Sequence, residues 1–190
     1  MLINIQFPAV CNGVDLNSDV LSELAQHPNI VGVKLTCGNA GKVTRLTQEF
    51  SNDQFGVYGG SSDWLIPCMI GGGSGCVTGI GNVFPKSVSK LYALWTEGKT
   101  SEAVKLQGLV AQAEKACKEG IAPTKFGASH FAGPKAGITR PEAFWPRKPF
   151  LPSPKAMQDW VVSVMKDLNE FELSLPDVKG PGLKAVNGTK

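Results

Sequence analysis

The sequence predicts an α/β protein built on a parallel sheet, and three observations carry that expectation. Strand and helix patterns alternate at short intervals over residues 2–98. Parallel neighbours need a crossover helix between them, so a β-then-α alternation made four times reads as a parallel sheet covered by helices. Within that stretch, the run NIVGVKLTCGN (29–39) reads as a buried strand that carries a lysine, Lys34, in its middle. Past residue 120 the composition turns Pro- and Gly-rich before one last helical pattern.

Taken in chain order, LINIQF is a short apolar strand closed by Pro8. Asn17 or Ser18 can cap the helix that follows, and Pro28 ends it. NIVGVKLT is a β-branched strand, NAGKVTRLTQEF a helix, FGVYGG a strand, and SDWLIPCMIGG a short helix with Ser61 or Ser62 as its cap. GCVTGIGN reads as the fourth strand. PKSVSKLYALWTEG is a helix with Pro85 in its first turn, Gly98 past its end, and Val88, Leu91, Tyr92 and Trp95 on one stripe. Residues 100–119 read as a helix with Leu106, Leu109, Val110, Ala113 and Cys117 on one face and Gly120 as its stop. APTKFGASHFAGPKAGITRPEAFWPRKPFLPSPK is expected to be mostly irregular. PKAMQDWVVSVMKDLNEF is the final helix. The chain thus divides into a sheet-and-helix unit at 1–98, a helical extension at 99–175, and a polar tail at 176–190 expected to be disordered.

The 190 residues are 42% hydrophobic and 18% charged, which supports a sizeable core and argues against a disordered chain. A formal charge of +3 is too small and too evenly spread to point to nucleic acid. No apolar stretch is long enough to span a bilayer, so no membrane partner is expected. The start MLINIQFPAV lacks the features of a signal peptide. Five scattered cysteines without a CxxC pair read as reduced thiols, mostly core filler. A cytoplasmic location follows, or a mitochondrial matrix one if an upstream transit segment is missing. Two histidines without a close acidic cluster disfavour a metal site. Trp64, Trp95, Trp145 and Trp160 read as packing residues. GGGSGCVTGIGNV matches neither a dinucleotide fingerprint nor a P-loop, and a phosphate site at a barrel mouth is a minor alternative.

Side chains alternate along a strand. Val31, Val33 and Leu35 then share one face, and Ile30, Gly32, Lys34 and Thr36 the other, with Gly32 leaving space beside the lysine. The first set suits covering helices. The second suits the inward face of a (β/α) barrel, with Lys34 near the strand's C-terminal end, where barrel enzymes place their chemistry. A partly desolvated amine favours its neutral form and can attack a carbonyl to form a Schiff base. The competing reading is a lysine that snorkels outward or pairs with a carboxylate.

Four stretches in order carry a resemblance: FPAVCNGVDL, LAQHPNIVGVKLTCGNAGKVTRL, YGGSSDWLIPCMIGGGSGCVTGIGNVFPK and LYALWTEGKTSEAVKLQ. They resemble the Schiff-base aldolase family of dihydrodipicolinate synthase and N-acetylneuraminate lyase, from about residue 2 to residue 110. HPNIVGVKLTCGN is similar to the fungal-type branch that cleaves 2-keto-3-deoxy sugar acids and 4-hydroxy-2-oxoglutarate. The resemblance implies a (β/α)8 TIM barrel of about 250 residues, with the lysine on its sixth strand. Here the lysine strand is the second. The chain is therefore expected to be a partial barrel, its last four βα units, followed by C-terminal helices and the Pro/Gly-rich segment. Lys34 is implied as the catalytic residue, forming an imine with pyruvate or another 2-oxo acid without metal or organic cofactor. Val77, by its backbone, Thr36, Gly59 and Gly60 are implied to line the substrate pocket.

The departures are specific. The family's proton-relaying tyrosine lies in a Y-N-x-P motif, and aligning Pro8 with that proline puts Ile5 at the tyrosine and Gln6 at the asparagine. The Gly-Thr/Ser-Thr segment that holds the substrate carboxylate has no counterpart, and neither does the arginine of dihydrodipicolinate synthases. An impaired or inactive lyase is therefore expected, with a non-catalytic half-barrel serving as an interaction module as the alternative. A half-barrel exposes strand edges and one open face. That face could be closed by a homo-oligomer, by a full-length relative, or by the Pro-rich segment folding back.

Overall fold

Every strand of this chain sits next to its sequence neighbour, the arrangement that four successive right-handed βα units produce. The computed structural model describes residues 2–177; of the tail expected to be disordered, residues 178–190 lie outside the described residues. The order is β1 (Leu2–Gln6), α1 (Ser18–Ala25), β2 (Ile30–Leu35), α2 (Ala40–Glu49), β3 (Gly56–Gly59), α3 (Leu65–Ile70), β4 (Gly75–Cys76) and α4 (Pro85–Thr96). Three longer or kinked helices follow: α5 (Thr100–Lys118), α6 (Ile121–Gly127) and α7 (Lys155–Ser174). The sheet runs β1-β2-β3-β4 with every pair parallel.

Local chemistry sets the first helices. The Asn17 side chain accepts the Val20 N–H at 3.0 Å and starts α1. Asn39 does the same for α2 through the Lys42 N–H, also at 3.0 Å. Their apolar faces, Leu21, Val43 and Leu46, close over Val33, Leu35 and Val57 of the sheet together with Phe55 and Cys68. Each such side chain gains roughly 2 kcal/mol from leaving water. A second core forms among Leu91 and Leu94 of α4, Leu106, Val110 and Ala113 of α5, and Val161, Met165 and Leu168 of α7, with the rings of Phe84 and Phe131 tilted against each other, centroids 5.2 Å apart.

Several expectations change. The fourth strand is only Gly75–Cys76, and Ile80–Asn82 is a 3-10 turn, because glycines and Thr78 lead the chain off the sheet toward α5. Neither Ser61 nor Ser62 caps α3. Ser61 Oγ donates to Asp63, and Ser62 turns to α5. On α4 Tyr92 is exposed, while Ser87 and Leu94 take buried positions. The Pro/Gly-rich segment is less irregular than expected: α6 tolerates Pro123 in its first turn and runs on through a π-helical turn at Ala128–Ala132. That segment packs on α6, not on the open sheet face. A bulge between Leu2 and Ile3 skips Val31 in the register. Such a bulge breaks strict alternation, and Ile30 accordingly packs partly with the outer core instead of on the lysine face.

One buried carboxylate ties the two halves of the helical layer together. Glu172 of α7 accepts the Ser87 N–H at 2.7 Å, the Ser87 hydroxyl at 2.6 Å and the Lys86 N–H at 3.1 Å. α4 has no side-chain cap of its own, so Glu172 supplies one from 85 residues further along the chain. Glu172→Ala strands these buried donors and is expected to cost about 1–3 kcal/mol in urea unfolding, with Glu172→Gln retaining part of that stability.

Candidate active site

The outer face of β2 leaves Lys34 one direction to go. Val33 and Leu35 are wholly buried beneath α1 and α2, so the residue between them must project from the opposite, concave face. Register places Lys34 opposite Ile5 on β1 and Tyr58 on β3, with Gly75 next in line. Paired residues of a parallel sheet share a face, so Ile5, Lys34 and Tyr58 form one row. Among the described residues no carboxylate lies within 4.0 Å of the Lys34 amine. The reading of an ion-paired lysine therefore fails.

Gly32 does not leave space beside the lysine. A Cβ there would stand 2.5 Å from the Gly56 carbonyl, so the glycine lets β3 approach. A Cβ on Gly56 would in turn meet the Tyr58 ring at 2.7 Å and its hydroxyl at 2.9 Å. The Tyr58 phenol thus lies back along β3, toward the N-terminal end of the strands. Tyr58 is a titratable neighbour that sequence reading passed over; its place beside Lys34 is visible only once the register is known.

Past the lysine the ladder continues by one bond per strand. The Thr36 N–H donates to Gln6 O, the Gly60 N–H to Leu35 O and the Val77 N–H to Gly59 O, each at 2.9 Å. Gly60 packs directly on Thr36, where a Cβ would sit 2.4–2.7 Å from its atoms. Thr36 Oγ1 is buried without a hydrogen-bond partner, a cost that an incoming polar group would relieve. A Cβ on Gly59 would point the other way, 3.3 Å from the Trp64 ring. Lys34, Thr36 and Gly60 are therefore brought together, Val77 adjoins them through the Gly59 carbonyl, and Gly59 contributes backbone only.

The loops carrying these positions are held from below by α5. Glu114, 2% exposed, accepts the Ser62 N–H at 3.0 Å, the Ser62 hydroxyl at short range and the Thr78 hydroxyl at 2.8 Å. Gln107 donates to Ser62 O at 2.8 Å and accepts the Ile66 N–H at 3.0 Å. Lys118 pairs with Asp63 at 2.5 Å. Positions 107, 114 and 118 fall on one helical face, so one side of α5 grips the exits of β3 and β4. Glu114 was legible as a polar residue on the Leu106–Val110–Ala113–Cys117 stripe; its partners were not.

Burial pushes the Glu114 carboxyl above the ordinary carboxylate range, and the nearby Asp63 charge adds to this; the Ser62 and Thr78 hydrogen bonds act against it. Burial likewise pushes the Cys76 and Cys117 thiols up to about 12 and Cys68 to about 11. The Lys34 charge is the smallest, opposing influence on Cys76. Thiols so raised are poor nucleophiles. Among the described residues no three His, Cys, Asp or Glu side chains could hold a metal ion together, and no helix is long and apolar enough to cross a membrane.

Four parallel βα units in sequence order fit part of a TIM barrel. The chain belongs to the dihydrodipicolinate synthetase family, whose model matches residues 2–168. It is 45% identical over 171 residues to a Coccidioides immitis (strain RS) protein with the provisional name of mitochondrial 4-hydroxy-2-oxoglutarate aldolase, covering 89% of this chain and 54% of the relative. It is 31% identical over 182 residues to the L-threo-3-deoxy-hexylosonate aldolase of Hypocrea jecorina, covering 92% and 55%. A solved dihydrodipicolinate synthase family protein from Coccidioides immitis superposes with a TM-score of 0.84 at 41% identity, over 92% of this chain and 56% of that one. The chain spans about half the length of these relatives, which fits a partial barrel.

The raised Glu114 value fixes a sign. The folded state holds this proton at pH values where the unfolded chain has released it, so stability declines as pH rises from the ordinary carboxylate value to that of Glu114, and levels off above it. Relative to Glu114→Gln, the parent is expected to lose stability across that acidic window in urea titrations at stepped pH.

Proposed function

We propose that the protein acts as a class I, Schiff-base aldolase on 2-oxo acids of the 4-hydroxy-2-oxoglutarate or 2-keto-3-deoxy sugar acid kind, releasing pyruvate, with Lys34 as the nucleophile. The observation that carries the reading is the unpaired Lys34 amine on the concave face, beside the buried, unpartnered Thr36 hydroxyl. The neutral amine adds to the keto carbon and water leaves, giving an imine. The protonated imine draws the electron pair of the C3–C4 bond as it breaks. An aldehyde departs, and hydrolysis of the remaining enamine, through its imine, frees pyruvate and the lysine. Thr36 Oγ1 would hydrogen-bond the substrate, and Val77 and Gly60 would shape the pocket with their backbone. No metal or organic cofactor enters this scheme.

What the arrangement lacks is a proton relay. Ile5 occupies the place in the row where a phenol would touch the imine, and the Tyr58 hydroxyl points away from the strand ends. Losing such a group costs about 10²–10⁴ in rate, so slow turnover is part of the proposal. The second reading, a non-catalytic half-barrel acting as an interaction module, is favoured by the same Ile5. On edge strand β1, Leu2, Ile3 and Ile5 are 61%, 48% and 59% exposed, a surface suited to pairing with a second copy or a full-length relative. The mitochondrial name of the Coccidioides relative favours the matrix over the cytoplasm.

Borohydride reduction in the presence of pyruvate is expected to leave one N-carboxyethyl group on Lys34, found by peptide mass mapping. Equal trapping in Lys34→Ala would end the aldolase reading in favour of the second. Ile5→Tyr, which restores a phenol beside the amine, is expected to speed trapping by about 10²-fold. In sedimentation, Ile3→Lys is expected to shift any oligomer toward monomer.

A further inference from the structure

The Pro/Gly-rich segment, which the aldolase reading leaves without a role, builds a groove of about 360 Å³ against α6 and the start of α7. We propose that this groove binds a small organic monocarboxylate with an aryl body, at a site separate from Lys34.

Its walls separate into two chemistries. Phe126, Phe144 and Trp145 supply ring faces and edges, and prolines fill much of the rest. Trp145 is 53% exposed here, contrary to the packing role expected for it. An exposed indole at the rim of a groove is a ready contact for a planar ligand. His130 extends the aromatic surface. Its ring stacks on Phe126 with centroids 5.7 Å apart and meets Phe131 edge-on at 4.7 Å.

The polar side of the groove favours an anion. Lys125 lines it, and among the described residues no carboxylate lies within 4.0 Å of that amine. From residue 121 to residue 153 the chain holds five basic residues, Lys125, Lys135, Arg140, Arg147 and Lys148, against the single acid Glu142. The segment that builds the groove is thus net basic, and Lys125 is the member of this set that lines it.

Ser153 supplies the second, independent sign of a ligand. It is only 7% exposed, it lines the groove, and its hydroxyl has no hydrogen-bond partner. Buried hydroxyls are rarely left so, and a carboxylate oxygen would accept from it. The Ser153 carbonyl is fixed by the Gln158 side chain at 2.8 Å, so the residue is held in place. It also precedes the first turn of the 20-residue α7, whose positive dipole end adds attraction for negative charge. The groove's volume lies within the span typical of small-molecule sites, about 300–1,000 Å³.

The test uses 3-phenylpropanoate, which has no ketone and cannot form an imine, so its outcome is independent of the aldolase reading. Titration calorimetry on the full chain is expected to give saturable binding with a Kd of about 1 mM or tighter. The neutral 3-phenylpropanamide and propanoate, which lacks the ring, should each bind at least ten-fold more weakly. Lys125→Met should lose a similar factor and Ser153→Ala a smaller one, with thermal melts of both variants matching the parent. Lys34→Ala should bind as the parent does. No saturable heat up to about 10 mM, or equal binding of acid and amide, or undiminished binding by Lys125→Met, would overturn the proposal.

Discussion

The burial of Val33 and Leu35 is the constraint on which the site depends. Two fully buried side chains flank Lys34 along β2, and together they gain several kcal/mol from the helices that cover them, about 2 kcal/mol each. Turning Lys34 to that side would require slipping β2 by one residue, which would bring both apolar neighbours out. The lysine therefore keeps to the concave face because its neighbours are held on the other. Its position is a consequence of packing, and no ion pair or hydrogen bond is needed to hold it there.

A second layer of control runs through α5. Gln107, Glu114 and Lys118 reach the turns that leave β3 and β4, and they do so with backbone as well as side-chain partners. Gly60 and Val77, proposed to line the pocket, lie just before those turns. Helix α5 lies beyond the β-then-α stretch in the chain, so a later helix holds the exits of β3 and β4 in place. The boundary at residue 98 marks a change of pattern, and the contacts across it join the two parts.

Much of this was readable in the sequence because it depends on periodicity and local caps. The strand at 30–35, the helix capped by Asn17 and the lysine's face all follow from alternation and from a side chain that bonds three residues away. What escaped reading depends on contacts between distant residues. Gly32 reads as space in the sequence, yet a Cβ there would meet the Gly56 carbonyl of β3. The caps expected from Ser61 and Ser62 were lost to Asp63 and to Glu114, the latter a partner fifty-two positions on from Ser62. GCVTGIGN reads as a strand, but only Gly75–Cys76 pair with β3; Thr78 turns to Glu114 and a 3-10 turn follows at Ile80–Asn82. Tyr58 was overlooked because only the register reveals its neighbour.

The most direct measurement is a crystal structure of the protein after reduction with borohydride in the presence of pyruvate. The account requires density continuous with Lys34 Nζ on the concave face, with Thr36 Oγ1 within hydrogen-bond distance of the adduct. Density on another lysine, or a Lys34 side chain turned out of that face toward α1 and α2, would contradict it.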